Sequence, residues 1–314
     1  MDNSLTLLID ASSLVYRAFF SNPDTIRARD GTLMNAAYGF LRMLSRLVTD
    51  WNPDFICCAT DEDWRPEWRV RLIDTYKTTR AEPGSAQDQT ERQLAAQMLV
   101  LYRVLALCGV SVAGHPGYEA EDVIGTLAAR APGRVAIVSG DRDLFQLVRD
   151  PAIFVLYPKR GVSLVDRVDE AYIETRFGIP GRAYRDYAVL RGDPSDGLPG
   201  VRGIGDKLAG SLIARYGSIE AVVSAAANSR ENVALGKVNG SLDYIERALE
   251  VVTIPTDLPL PALDLTRSRG QPSEAIHALA GRNGITDAVL GLTTALMSDG
   301  GSSPMARGSG LRSP

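Results

Sequence analysis

Nine carboxylates occupy positions from which a fold could gather them: Asp10, Asp61, Glu119, Glu121, Asp122, Asp141, Asp143, Asp193 and Asp196. Glu119 and Asp122 are three apart and share one face of a first helical turn. Asp141 and Asp143 form a D-x-D after VAIVSG, where period-two geometry points both the same way. Asp193 and Asp196 are again three apart. Only Arg142 is interleaved closely enough to neutralise any of the nine. A single acid of this kind is an ordinary helix N-cap. Nine that meet would repel one another and could not all ionise without cations. Oxygen donors, in a chain whose two histidines are His115 and His277, suit hard ions such as Mg²⁺ or Mn²⁺. Two such ions about 4 Å apart serve phosphodiester hydrolysis, and no protein group need then act as general base.

The elements around these acids are expected to place them together. SLTLLI (4–9), DFICCATD (54–61), RVAIVSGDRD (134–143) and AIFVLY (152–157) read as buried strands, with helical patterns over 35–49, 93–109 and 119–131. Buried strands alternating with helices predict an α/β fold with a mostly parallel central sheet flanked by helices. Such sheets carry their sites at the C-terminal strand ends, where Asp10, Asp61, Asp141 and Asp143 fall. The polar stretch 77–91, which lacks apolar periodicity, reads as a mobile loop between helices. Past about residue 180 the patterns become helical. The predicted organisation is a core over 1–180, containing a loop at about 76–92, a helical region over 181–297, and a low-complexity tail over 298–314 expected to be disordered.

Within the helical region, LPGVRGIGDKLAGSLI (198–213) sets Gly200, Gly203 and Gly205 ahead of an apolar helix. Glycine lets backbone N–H groups approach a phosphate, and the helix N-terminus adds its positive dipole end. The string matches a helix-hairpin-helix, which grips duplex DNA by its backbone without reading sequence, with Arg202 and Lys207 placed to touch phosphate.

Composition sets few obstacles. The 314 residues are 45% apolar with 34 basic and 38 acidic side chains, which excludes wholesale disorder, a fibrous repeat and a disulfide scaffold. The net charge of −4 speaks against nucleic acid only until the nine acids are set aside, leaving 29 against 34 basic residues. Cys57, Cys58 and Cys108 have no metal spacing and read as buried thiols of a reducing compartment. No run reaches membrane-span length, and the N-terminus lacks a signal-peptide pattern. A cytoplasmic protein, nucleoid-associated through DNA and monomeric, is expected.

The chain resembles the bacterial 5′ nucleases, the flap endonuclease/5′–3′ exonuclease family that includes the N-terminal domain of bacterial DNA polymerase I. The resemblance rests on LLIDASSLVYRAF, GT-x-x-NAAYGFLRML, TYKTTR, YEAEDVIGTLA, VSGDRDLFQL and GDPSDGLPGVRGIGDKLA, in that order, over about residues 4 to 290. It implies a PIN-like 5′ nuclease core with a helical arch and a helix-three-turn-helix region. It also implies a structure-specific nuclease that cuts DNA near a 5′ flap, nick or 5′ end, or an RNA primer strand, in replication and repair. Asp10, Asp61, Glu119, Glu121, Asp122, Asp141 and Asp143 would form the nearer metal site, with Asp193 and Asp196 extending the second. Lys77 would reach the scissile phosphate with Arg80 close by, Tyr76 would stack on a terminal base, and K⁺ would sit on hairpin carbonyls. Too few residues remain for a polymerase domain, so a free-standing nuclease is expected. The family usually has Asp at the place of Glu121 and Asn at the place of Gly197, whose missing side chain is expected to loosen the loop carrying Asp196. The competing readings are a PIN-like ribonuclease, which the hairpin disfavours, and a non-catalytic DNA junction-binding protein, which the full set of acids disfavours.

Overall fold

The run LTLLID is buried along its whole length, as a strand covered on both faces must be, and forms β1 (Leu5–Asp10) near the middle of a six-stranded sheet. The computed structural model describes residues 3–78, 86–228 and 232–298. On one side of β1 lie β2 (Phe55–Ala59) and β3 (Ser111–Ala113). On the other lie β4 (Arg134–Val138), β5 (Ile153–Arg160) and β6 (Leu164–Val168), giving the order β3-β2-β1-β4-β5-β6. Every pair is parallel except the β5–β6 hairpin. Asp10 is level with Ala59, and Ile9 with Val138, so three strands finish along one edge. Sequence pattern predicts four strands. The two further ones are an outer strand of three residues and an edge strand whose LVDRV is largely solvent-facing, and neither carries a buried-strand pattern.

The helices are α1 (Ala11–Ser21), α2 (Asn35–Trp51), α3 (Glu67–Leu72), α4 (Ala86–Leu107), α5 (Ala120–Arg130), α6 (Glu170–Phe177), α7 (Tyr184–Arg191), α8 (Asp206–Tyr216), α9 (Ile219–Asn228), α10 (Val233–Asn239), α11 (Leu242–Val252), α12 (Glu274–Arg282) and α13 (Thr286–Met297). Helix α4 takes in residues 86–91, which the sequence assigns to a loop. Arg80 and the tail from 299 lie outside the described residues.

Alternation along the strands builds two cores. Leu8, Cys57, Ile137 and Val155 face one side, where α5, α7, α8 and α11 pack. Leu7, Ile9, Cys58 and Val138 face the other, covered by α1, α2, α4, α12 and α13. The last two helices, grouped by sequence with the region 181–297, therefore return to the sheet and pack on α4 and α2. Buried Arg267 fastens them there: its Nε donates to the Leu296 carbonyl (2.9 Å) and its Nη1 to Asn52 Oδ1 (2.7 Å) at the end of α2. All three cysteines are buried and free. Among the described residues no helix is long and apolar enough to cross a membrane.

Candidate active site

Strands β1 and β4 are neighbours whose chains leave in opposite directions, one toward β2 and the other toward β5, which opens a crevice at their C-terminal ends. Asp10 stands at this point. Its Oδ1 accepts from the Ser13 N–H (3.0 Å), capping α1, and its Oδ2 from the Ser139 hydroxyl (2.5 Å). Asp61 accepts from the Ala120 N–H at the start of α5 (2.7 Å). The Asp143 N–H donates to Asp141 Oδ1 (2.8 Å), and Asp143 begins a 3₁₀ turn over Asp143–Leu147. The D-x-D is thus brought together by a turn beyond the end of β4, not by strand alternation. Oxygens of Glu121, Asp141 and Asp143 all lie within 4.8 Å of one another. A cavity of about 1250 Å³ opens over them, and of the nine acids all but Asp122 and Asp143 line it.

Crowding shows in the ionisation. Burial first and the Asp61 charge second push the Asp10 carboxyl up to about 7. Asp61 is also raised, mainly by burial. Glu121 and Asp143 are pushed well above the usual carboxylate range, by burial and then by neighbouring acids, Asp141 among them in both cases. An all-oxygen donor set in which burial and neighbouring acids outweigh the nearby Arg69 and Lys77 charges fits a hard divalent cation.

The rest of the acidic group is organised by cations that sequence spacing does not reveal. Arg69 of α3 is fully buried; its Nη1 donates to Glu119 Oε1 (2.8 Å) and Asp122 Oδ2 (3.0 Å), its Nη2 donates to Asp122 Oδ1 (2.7 Å), and Glu121 lies 3.3 Å from it. Asp122 also accepts from the Glu119 N–H (3.0 Å). The expectation that almost nothing pairs these acids is overturned: Arg69, about fifty residues distant in the chain, arrives by packing. Both Asp122 oxygens are committed inward, away from the cavity. The Lys77 ammonium sits on Glu119, whose other oxygen accepts the Tyr76 hydroxyl (2.5 Å). Tyr76, expected to face a base, is instead 3% exposed and lies against Arg69 and Lys77. Burial lowers and Glu119 raises the Lys77 ammonium, with a net upward shift that keeps it charged. Asp193 is paired with Arg191 (3.3 Å).

Two aromatic side chains escaped sequence reading. Tyr16 and Phe20, four apart on α1, pack edge to face at 5.0 Å on the cavity wall, and Phe20 is 64% exposed. Leu94 and Met98 of α4 line the same cavity. An i, i+4 aromatic pair in YRAFF was visible, but not its exposure.

In the hairpin, Arg202, Gly203, Gly205 and Lys207 are all exposed, and Gly205 caps α8 with open space over it. Gly200 has another reason to be glycine: φ is +69°, an added Cβ would lie 2.3 Å from the Arg191 carbonyl, and its N–H donates to the Tyr244 hydroxyl (3.0 Å). It packs inward and does not present its N–H to a ligand. Lys237, from α10, joins the turn by donating to the Gly203 carbonyl (2.9 Å). The Gly197 loop is not loosened either: the Thr75 hydroxyl donates to the Gly197 carbonyl (2.6 Å).

The sequence matches the family described as 5′–3′ exonuclease, N-terminal resolvase-like domain, over residues 5–178, and the 5′–3′ exonuclease C-terminal SAM fold over 179–274. A 5′–3′ exonuclease of Streptomyces coelicolor is 41% identical over 299 residues, 92% of this chain and 99% of the relative. One of Mycobacterium tuberculosis is 40% identical over 269 residues, 81% of this chain and 85% of the relative. Among solved structures, the bacteriophage T5 flap endonuclease, in a pseudo-enzyme–product complex with DNA and metal ions, superposes with a TM-score of 0.66 at 15% identity. That match covers 93% of this chain and 98% of the phage protein.

Proposed function

The chain belongs to the 5′–3′ exonuclease family and is a nuclease, and from that premise we propose that it is a divalent-metal-dependent, structure-specific 5′ nuclease, a monomer that hydrolyses DNA at 5′ flaps, nicks and 5′ ends. The observation that carries the reading is the convergence of Glu121, Asp141 and Asp143 beneath a cavity at the topological switch of the sheet. These three, with Asp10 and Asp61, would hold the nearer Mg²⁺ or Mn²⁺, and Asp193 and Asp196 would help hold a second. Bound divalent ions supply a strong nucleophile from water at neutral pH and stabilise charge on the leaving oxygen.

The remaining groups bind and orient. Glu119 and Asp122, committed to Arg69, Tyr76 and Lys77, fix the start of α5 so that Glu121 projects into the cavity. Lys77, at the cavity wall, supplies positive charge for the scissile phosphate, with Arg80 as its companion. Tyr16 and Phe20 offer an apolar face on which unpaired bases stack. Arg202, Lys207 and the open N-terminus of α8 grip the duplex backbone, and a K⁺ ion on the hairpin carbonyls would strengthen that grip.

The test is cleavage of an end-labelled 5′-flap duplex in Mg²⁺, Mn²⁺ and EDTA. Cutting at the junction, lost in EDTA, is the expected result. Junction binding without cutting in any metal would leave a DNA-binding protein, and cutting of RNA alone would favour the ribonuclease reading.

A further inference from the structure

We infer that Gly197 is a positioning residue of the site: it closes a backbone clasp between Thr75–Lys77 and the loop carrying Asp196, so that Lys77 and Asp196 are set as one unit, an assignment that rests on the nuclease reading above. Three observations carry it. Gly197 has φ +73°, and a Cβ there would lie 1.9 Å from the Thr75 carbonyl oxygen, 2.7 Å from its carbon and 3.3 Å from the Lys77 nitrogen. No side chain fits at 197 while residues 75–77 stay where they are. The contact is also bonded: besides Thr75 to the Gly197 carbonyl, the Lys77 N–H donates to the Asp196 carbonyl (2.9 Å). Finally, Lys77 itself has φ +48°, and Asn52 is the one other non-glycine residue with positive φ among those described. A strained backbone persists only where its surroundings over-determine it, and here they do. Arg65 donates to the Tyr76 carbonyl (2.7 Å), Asp196 receives the Lys77 amide, and Glu119 receives its ammonium.

The clasp spans the site. Its 75–77 segment brings the cation of Lys77, and its 193–198 loop brings the carboxylates of Asp193 and Asp196, from parts of the chain more than a hundred residues apart. Any side chain at 197 would have to push the two apart. A glycine at this point therefore tightens the loop, because without a Cβ the two backbones can touch.

The experiment compares Gly197→Asn with Gly178→Asn, which meets the same left-handed backbone (φ +67°) at an exposed position with nothing within 4 Å. In Gly197→Asn the Lys77 amide should exchange with solvent faster, Mn²⁺ titrated alone should bind more weakly, and single-turnover flap cleavage should fall roughly tenfold to a hundredfold. Flap binding in EDTA should be unchanged. Gly178→Asn should alter none of these. Should Gly197→Asn fail to fold, Thr75→Val, which removes one exposed hydroxyl, should show smaller changes in the same direction. Wild-type exchange, Mn²⁺ affinity and rate in a folded Gly197→Asn protein would overturn the clasp. If the unaltered protein cuts no flap yet Mn²⁺ affinity and Lys77 exchange respond to the substitution, the clasp stands and the flap reading falls.

Discussion

Arg69 and Asp122 face each other through two hydrogen bonds, Nη1 to Oδ2 at 3.0 Å and Nη2 to Oδ1 at 2.7 Å, with neither side chain reaching solvent. The guanidinium is thus a built-in counter-ion at the start of α5. Removing it would leave Asp122 buried without a cation, while Glu119 would keep only Lys77 and Tyr76. Arg69→Met is expected to lower stability by about 3–5 kcal/mol, read from the urea midpoint in metal-free buffer. Arg69→Lys, which cannot reproduce the two parallel bonds, should recover only part of that loss.

Asp143→Ala should abolish cleavage and leave junction binding in EDTA intact, because the residue belongs to the acidic triad and not to the hairpin. Parallel Mn²⁺ titration should show one binding event lost or weakened. Retained cleavage would remove Asp143 from the site.

Asp10 gives a pH signature. Its carboxyl rises from 3.8 to about 7 on folding, by burial and then by the Asp61 charge. Between those values the folded chain keeps a proton that the unfolded chain has released, so stability falls as pH rises, by on the order of 4 kcal/mol at most for this group. Metal-free Asp10→Asn should show a flatter stability profile from about pH 4 to pH 7, its gain on the unaltered protein building across that window and levelling off above it. Mn²⁺ affinity of the unaltered protein should climb through the same window, since a proton must leave before a cation is held.

Lys207 is exposed one position into α8, beyond the Gly205 cap. Lys207→Ala should weaken duplex binding equally across sequences and reduce the salt slope by about one unit. A loss confined to particular sequences would contradict backbone recognition.

The sheet and the acids at its edge were legible because strand burial and strand ends are local patterns: LTLLID and RVAIVSGDRD announce both. The role of Arg69 was not, since nothing in the spacing of WRVRL marks partners that lie fifty residues further on. Tyr76 and Lys77 read as surface residues by type, and their inward bonds to Glu119 depend on partners brought near by Arg69 on α3 and by α11. The reason for Gly200 was misassigned because a turn glycine looks the same whether it admits a ligand or, as here, the Arg191 backbone. The purpose of Gly197 could not be read locally, because the carbonyl it admits belongs to Thr75.

The return of α12 and α13 to the second face of the sheet sets an order on synthesis. Leu292, Ala288 and Ile285 cover α2 only after the whole hairpin region has been made, and Arg267 cannot tie the end of α2 to α13 until residue 296 exists. A ribosome-bound chain that already contains all nine acids therefore still leaves the outer faces of α2 and α4 uncovered. The apolar face left bare in that interval is what a nascent-chain holdase would see. The second core is closed only when the last two helices are in place.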